Sequence, residues 1–310
     1  MLALPEQPLA ACDGLEGRDL YGAWLGCSQQ QDAADCLAAL KQAGSSGAQW
    51  LVVDHYGLDA SWEGAMRESL GSESPPQLLV IDDLADRSHS CDLLLDQNFF
   101  GEATERRYQG LVPPQCRQLL GPHYALLGPE YALLHPLVPP RTELRRVLVF
   151  FGGVDPDNCT GEAIKALMAP ELAHLAVDVV LGLQCPHRQV VETLVAKRPH
   201  TTLHGPQPSL AGLIARADLA IGAGGGATWE RSCLLLPSVV VSVAENQHPC
   251  ARAMHIYDQL IWLGNKDECT IQRLKSVILS VQRQQLQHET MRSMTDGLGS
   301  VRICDLMLCE

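Results

Sequence analysis

Two glycine-rich stretches end apolar runs in the second half of the chain. One is Phe150-Phe151-Gly152-Gly153; the other is Gly222-Ala223-Gly224-Gly225-Gly226, with Thr228 and Glu230 following it. A glycine turn between a strand and a helix can bring backbone N–H groups up to an anion, because glycine accepts positive φ and has no side chain to hold a ligand away. Glu230, one turn into the helix that would follow, could accept hydrogen bonds from a ribose diol, as an acidic residue does in dinucleotide-binding folds. For an isolated turn two readings are open: phosphate binding, or a tight strand-to-helix connection that needs glycine for packing. Two such turns at strand carboxyl ends would face one crevice, which favours the first. Val243-Ala244-Glu245-Asn246-Gln247 closes a third apolar run with two amide side chains, which would converge there or cap a helix. After the first turn, Asp155, Asn158 and Thr160 are candidate helix caps.

The surrounding pattern supplies strands and helices for these turns. In the first half, Gln49–Tyr56, Gln77–Asp83 and Cys91–Asn98 read as buried strands and Ser61–Leu70 as a helix. In the second half, Arg146–Gly153, Val177–Gly182, Ala217–Gly225 and Ser238–Val243 read as strands. Helical spacing covers Asn158–Leu167, His187–Ala196, Ser209–Ala215 and Thr228–Leu236. Apolar strands alternating with helices predict parallel sheets covered on both faces. The expected fold class is α/β, with two Rossmann-like domains. Pro136, Pro139 and Pro140 beside charged residues mark a boundary, giving domains of residues 1–140 and 141–310. The Gln- and Arg-rich tract Thr270–Thr290 reads as a solvated helix.

Composition narrows the function. The chain has 310 residues and a formal net charge of −13, with no basic run. Nucleic acid is therefore not an expected partner, since phosphate neutralisation along a strand needs clustered Lys and Arg. No run reaches the roughly 18 apolar residues of a membrane span, and no signal peptide is recognisable. A cytoplasmic protein with no membrane partner is expected. The 12 cysteines contain no C-x-x-C pair and the histidines no metal-ligand spacing, so no metal and no cofactor is expected. The oligomeric state is left open.

Longer motifs carry a resemblance. Segments containing Val53–Asp59, Ile81–Asn98, Gly121–Tyr131, Arg145–Asn158, Ala217–Gln247 and Asp296–Leu308 resemble the UDP-sugar hydrolases of pseudaminic acid biosynthesis, which act on UDP-2,4-diacetamido-2,4,6-trideoxy-β-L-altropyranose. The match runs from about Trp24 to the C-terminus. That family is similar in fold to the N-acetylglucosaminyltransferase of peptidoglycan synthesis, so the resemblance implies two Rossmann-like domains of glycosyltransferase-B type. It implies attack of water on the anomeric carbon, with inversion and departure of UDP, and a product used in surface glycans such as flagellin. It assigns UDP to the C-terminal domain, at Gly152, Gly153, Gly224, Gly225, Thr228, Glu230, Asn246 and Gln247. Tyr56, of the Asp54-His55-Tyr56 motif, and Asn246 near the sugar and phosphate are the candidate catalytic residues.

The family's opening Gly-x-Gly-His-x-x-Arg loop, whose histidine is its presumed general base, has no counterpart in this sequence. About 60 residues, two βα units, would precede the resemblance. A sheet lacking its first strand would have an exposed apolar edge and reduced stability. Three accounts are open: a start codon placed too late, a truncated gene, or a remnant that binds UDP without turnover. His55 and His89, the histidines of the neighbouring motifs, read as structural and not as replacements for that base.

Overall fold

The computed structural model describes residues 17–44, 48–70, 75–281 and 294–309. The chain divides into two compact units. Unit 1 extends to Gln97 and includes Glu102–Leu120; unit 2 comprises Asn98–Gly101 and the chain from Gly121 onward.

Unit 1 contains α1 (Gly17–Leu25), α2 (Gln29–Gln42), β1 (Trp50–Val53), α3 (Ala60–Leu70), β2 (Gln77–Ile81), β3 (Leu93–Asp96) and β4 (Arg117–Leu120). Ser28 begins α2 by accepting a hydrogen bond from the Gln31 N–H at 3.2 Å, satisfying one donor that the helix leaves unpaired. The strands are all parallel, in the order β1-β2-β3-β4. Leu78, Val80 and Leu94 from β2 and β3 are buried with Trp62 and Met66 of α3. Strand β1 is one edge of the described sheet, and Val52 on it is 52% exposed.

Unit 2 contains α4 (Pro129–Leu134), β5 (Arg146–Phe150), α5 (Cys159–Leu167), β6 (Ala176–Val180), α6 (Arg188–Lys197), β7 (Thr201–His204) and α7 (Ala211–Arg216). Then follow β8 (Leu219–Ala223), α8 (Ala227–Cys233), β9 (Ser238–Ser242), α9 (Gln247–Ile256), β10 (Ile261–Asn265), α10 (Ile271–Val281) and α11 (Gly299–Leu308). The six strands are parallel in the order β10-β9-β8-β5-β6-β7. The first strand, β5, is thus central, and the order reverses between β5 and β8. This is the doubly wound arrangement.

Side-chain alternation shows why. Val147 and Val149 of β5, Leu219 and Ile221 of β8, and Val239 and Val241 of β9 pack on one face, with Ala163 and Ile164 of α5 and Leu274 and Ile278 of α10. Leu148, Ala220 and Val240 face the other way, against Ile214 of α7, Trp229 and Cys233 of α8, and Met254 of α9. Helices leave β5 and β8 to opposite faces, so no helix covers the carboxyl end of that strand pair. Tract Thr270–Thr290 is corrected in part. Its helix α10 buries Leu274 and Ile278, and residues from 282 to 290 lie outside the described ones. The division between units falls before the expected boundary at 140, because Ala125, Leu127, Tyr131 and Val138 pack in the unit 2 core. Among the described residues no helix is long and apolar enough to cross a membrane.

The β5–β8 contact depends on one glycine. A Cβ on Gly222 would lie 2.2 Å from the Phe150 carbonyl oxygen, and β5 is held by neighbours on both sides. Gly222→Ala is expected to lower stability by about 1–3 kcal/mol, the usual cost of overpacking a tight core. Urea unfolding measures this; an unchanged midpoint would mean that the strands separate without cost.

Candidate functional site

The turn after β5 is built for close approach. Gly152 has φ +90°, a conformation that side-chain-bearing residues rarely adopt. A Cβ on Gly182, after β6, would lie 1.9 Å from the Gly153 carbonyl oxygen, so these two turns touch backbone to backbone. Asp155 then caps α5: its carboxylate accepts from the N–H groups of Cys159 at 2.9 Å and Thr160 at 3.0 Å. Asn158 accepts from the Gly161 N–H at 3.3 Å. Asp155 and Asn158 thus act as the expected caps, whereas the Thr160 hydroxyl is buried without a partner. With its first amides engaged by a carboxylate of the chain, the start of α5 is not open to a phosphate.

The turn after β8 differs. Gly225 has φ +89°, and Gly226, at the N-cap of α8, provides no side-chain cap. Gln247 braces this turn. Its Oε1 accepts from the Val243 N–H at 3.0 Å, and its side chain lies 3.0 Å from where a Cβ on Gly224 would stand. Thr228 is buried, and its hydroxyl accepts from Arg231 at 3.1 Å. Asn246 stands at the N-cap of α9 without capping it through its side chain.

Beside the turns after β5 and β6 a cavity of about 420 Å³ opens, within the range of small-molecule sites. Phe150, Gly153, Gly182, Gln207, Ser209 and Glu230 line it. Burial raises the pKa of the Glu230 carboxyl, while Tyr131 and Arg231 beside it pull the other way. Its Oε2 and the Tyr131 phenol are both buried without completing a hydrogen bond of good geometry. Buried polar atoms normally have partners, so a carboxylate left open at a cavity wall is a feature a ligand hydroxyl would satisfy. The structure brings Gly153 and Glu230 to one cavity and gathers Gly224, Gly225 and Gln247 at the ends of β8 and β9. Thr228 points into the protein. Gly182, Tyr131 and Arg231 escaped the sequence reading. Gly182 ends an apolar strand and had the same signal as Gly152, but nothing local distinguishes Tyr131.

In unit 1, Tyr56 follows β1 with its ring 5.0 Å from that of Tyr21. Burial, and next the Asp83 carboxylate, raise the Tyr56 pKa, so the phenol stays protonated. His55 Nδ1 accepts from the Gly57 N–H at 3.0 Å, and burial lowers its pKa. His89 is enclosed: its Nδ1 lies 2.7 Å from Glu63 Oε1, and Glu63 also accepts from the Ser90 N–H. Asp82, 3.9 Å from His89 Nε2, pairs with Arg87 at 2.7 Å and accepts from the Tyr108 hydroxyl at 2.8 Å. Both histidines hold structure, as the sequence reading expects.

No family model matches the chain. It is 23% identical over 273 residues to the spore coat polysaccharide biosynthesis protein SpsG of Bacillus subtilis, covering 86% of this chain and 78% of that protein. Among solved structures, MurG of Acinetobacter baumannii has a TM-score of 0.59 at 15% identity over 91% of this chain and 78% of MurG. The UDP-GlcNAc 2-epimerase of Neisseria meningitidis, bound to UDP-GlcNAc, has a TM-score of 0.59 at 13% identity, over 92% and 83% of the two chains. The class is thereby defined: two parallel-sheet, Rossmann-like α/β units with the fold of glycosyltransferase-B proteins.

The His89 cluster has a pH signature. Burial opposes the imidazolium, but the Asp82 and Glu63 carboxylates on either side of the ring outweigh it and raise the His89 pKa from 6.5 to about 9. The stability from this shift is present in full below pH 6.5 and is lost as pH rises through 9, about 3 kcal/mol in total. Urea midpoints at pH 6 and pH 9 are expected to fall more for the native chain than for His89→Gln. Equal falls would show that His89 is not held protonated.

Proposed function

We propose that the chain is a UDP-sugar hydrolase, with UDP held in unit 2 at the carboxyl end of the β5–β8 pair. The observation that carries this reading is the cavity at the carboxyl ends of β5 and β6, with a partly unsatisfied Glu230 of α8 on its wall. Parallel α/β sheets bind ligands at strand carboxyl ends. In this reading Glu230 accepts from the ribose diol, and the backbone at Gly225 meets the diphosphate, while Gly224, whose N–H is held by the Val241 carbonyl, leaves room for it. Gly152 and Gly153 keep the crevice free of side chains. Gln247 holds the turn in shape, and Asn246 faces the sugar and the adjoining phosphate. Thr228 supports the turn from below.

The chemistry is substitution at the anomeric carbon. Water adds on the face opposite the leaving group, the bond from that carbon to the diphosphate oxygen breaks, and its electron pair leaves with UDP. The attacking water loses a proton to a base. Tyr56, held protonated by its surroundings, is not suited to taking that proton. The substrate assigned is UDP-2,4-diacetamido-2,4,6-trideoxy-β-L-altropyranose, which would place the product in pseudaminic acid biosynthesis and flagellin glycosylation. SpsG's role in spore coat polysaccharide biosynthesis supports a place in surface-glycan synthesis more generally. The likeness to MurG favours a second reading, transfer of the sugar to an acceptor hydroxyl in place of water.

Incubation with that UDP-sugar and no acceptor separates the two. UDP release is expected; release only on adding an acceptor would make the protein a transferase, and tight binding with no release would leave a nucleotide-binding remnant. Glu230→Gln is expected to weaken UDP binding about tenfold or more, the worth of a charge-assisted hydrogen bond. In the native chain, UDP affinity is expected to fall as pH drops through the raised Glu230 pKa, because the protonated carboxyl loses acceptor strength. Calorimetry across that range checks both, and a pH-independent affinity would remove Glu230 from the site.

A further inference from the structure

Three arginines of unit 2 are drawn in among the backbone without a salt bridge to a carboxylate, and two of them are accounted for by their partners. Arg141 donates to the carbonyls of Ile214, Ala217, Leu234 and Leu235 at 2.7–3.1 Å, closing the carboxyl ends of α7 and α8. Arg198, 4% exposed, donates to the carbonyls of Leu167, Leu172, Leu175 and Pro199 and to the Thr201 hydroxyl. Both guanidiniums satisfy carbonyls that helix ends and turns leave unpaired, which is a sufficient structural reason for them.

Arg231 is different. It is 3% exposed, yet its only side-chain hydrogen bonds among the described residues run from Nη2, to the Ala223 carbonyl at 2.8 Å and the Thr228 hydroxyl at 3.1 Å. Its Nε is buried with no partner. Ala223 directly precedes Gly224 and Thr228 follows Gly226, so one guanidinium grips both ends of the glycine turn. The same group lies under the strand pair, with Nη1 3.3 Å from the position of a Cβ on Gly222. Burial lowers its pKa to about 10, which leaves it charged. The neighbouring acid is Glu230, whose own pKa is raised. A buried cation with so few partners is costly unless an opposite charge comes near it. The turn it grips at both ends carries no side-chain cap.

We propose that Arg231 is a positioning residue for the diphosphate. From beneath the turn it fixes Gly224–Gly226 in shape and supplies the positive charge that the anion above requires, without touching the ligand. This explains how an acidic chain can hold a diphosphate at a turn that carries no basic side chain. The inference rests on the reading that UDP occupies this turn, and its test keeps the two apart.

Full-length native chain, Arg231→Met and Arg231→Lys are titrated with UDP and, separately, with uridine, and each free protein is unfolded in urea. Arg231→Met is expected to lose about 10- to 100-fold in UDP affinity, the scale of a charge-assisted interaction. Its uridine affinity should stay within about twofold, and its urea midpoint should not fall, because the variant sheds an under-satisfied buried charge. Arg231→Lys, which keeps the charge but not the two-ended grip, should lie between. Equal losses for UDP and uridine, or no loss for UDP, would overturn the proposal. Should Arg231→Met not fold, Thr228→Val removes one grip and keeps the charge. It is expected to weaken UDP several-fold and leave uridine unchanged, and an unaltered UDP affinity would again overturn the role. If the native chain binds neither ligand, the site reading itself fails and this inference with it; if it binds UDP and Arg231→Met binds equally well, this inference alone fails.

Discussion

The backbone contact between β5 and β8 is the constraint on which unit 2 depends. Gly222 gives that contact its closeness, since any side chain there would meet the Phe150 carbonyl. With the two strands side by side, their alternate residues serve two separate cores, and α5 and α8 must depart to opposite faces. The gap this leaves at the carboxyl ends is a result of connectivity. Gly153 and Gly182 line the cavity there without side chains to fill it. A second close approach, Gly182 on the Gly153 carbonyl, draws the β6 turn to the same rim and helps to shape the cavity.

Charge is handled differently in the two units. In unit 1 the buried ionic groups answer one another: Asp82 with Arg87, and Glu63 with His89, with Tyr108 bridging to Asp82. Removing one member would strand the next, which is why such clusters hold a unique arrangement even where they add little net stability. In unit 2, Arg141 and Arg198 are neutralised by carbonyl dipoles at helix ends, while Glu230 and Arg231 are left incompletely served. Buried atoms of both signs without a partner thus sit on one short helix, α8.

The fold alone does not choose a reaction. Proteins with this architecture include an epimerase solved with UDP-GlcNAc and the MurG structure, at identities that speak only for the arrangement of strands and helices. What separates substitution by water from substitution by another hydroxyl is which nucleophile the site admits beside the anomeric carbon, and function is set at that level of detail.

Much of the framework was legible in the sequence. Continuous apolar runs ending in glycine or polar residues announced β5, β6, β8 and β9, because a strand buried on both faces admits little else. The short strands Thr201–His204 and Ile261–Asn265 were not announced, since at the sheet's edges polar and half-exposed residues blur the pattern. The glycine turns and Glu230 could be named from spacing alone, because their chemistry is local to the turn. Which turn stays open could not be named. Only folding brings Gln247 against Gly224, Arg231 beneath the turn, and Tyr131 beside Glu230. Several of those partners are distant in the chain, and a sequence records which groups are present but not which of them will have used up their hydrogen bonds once the sheet has formed.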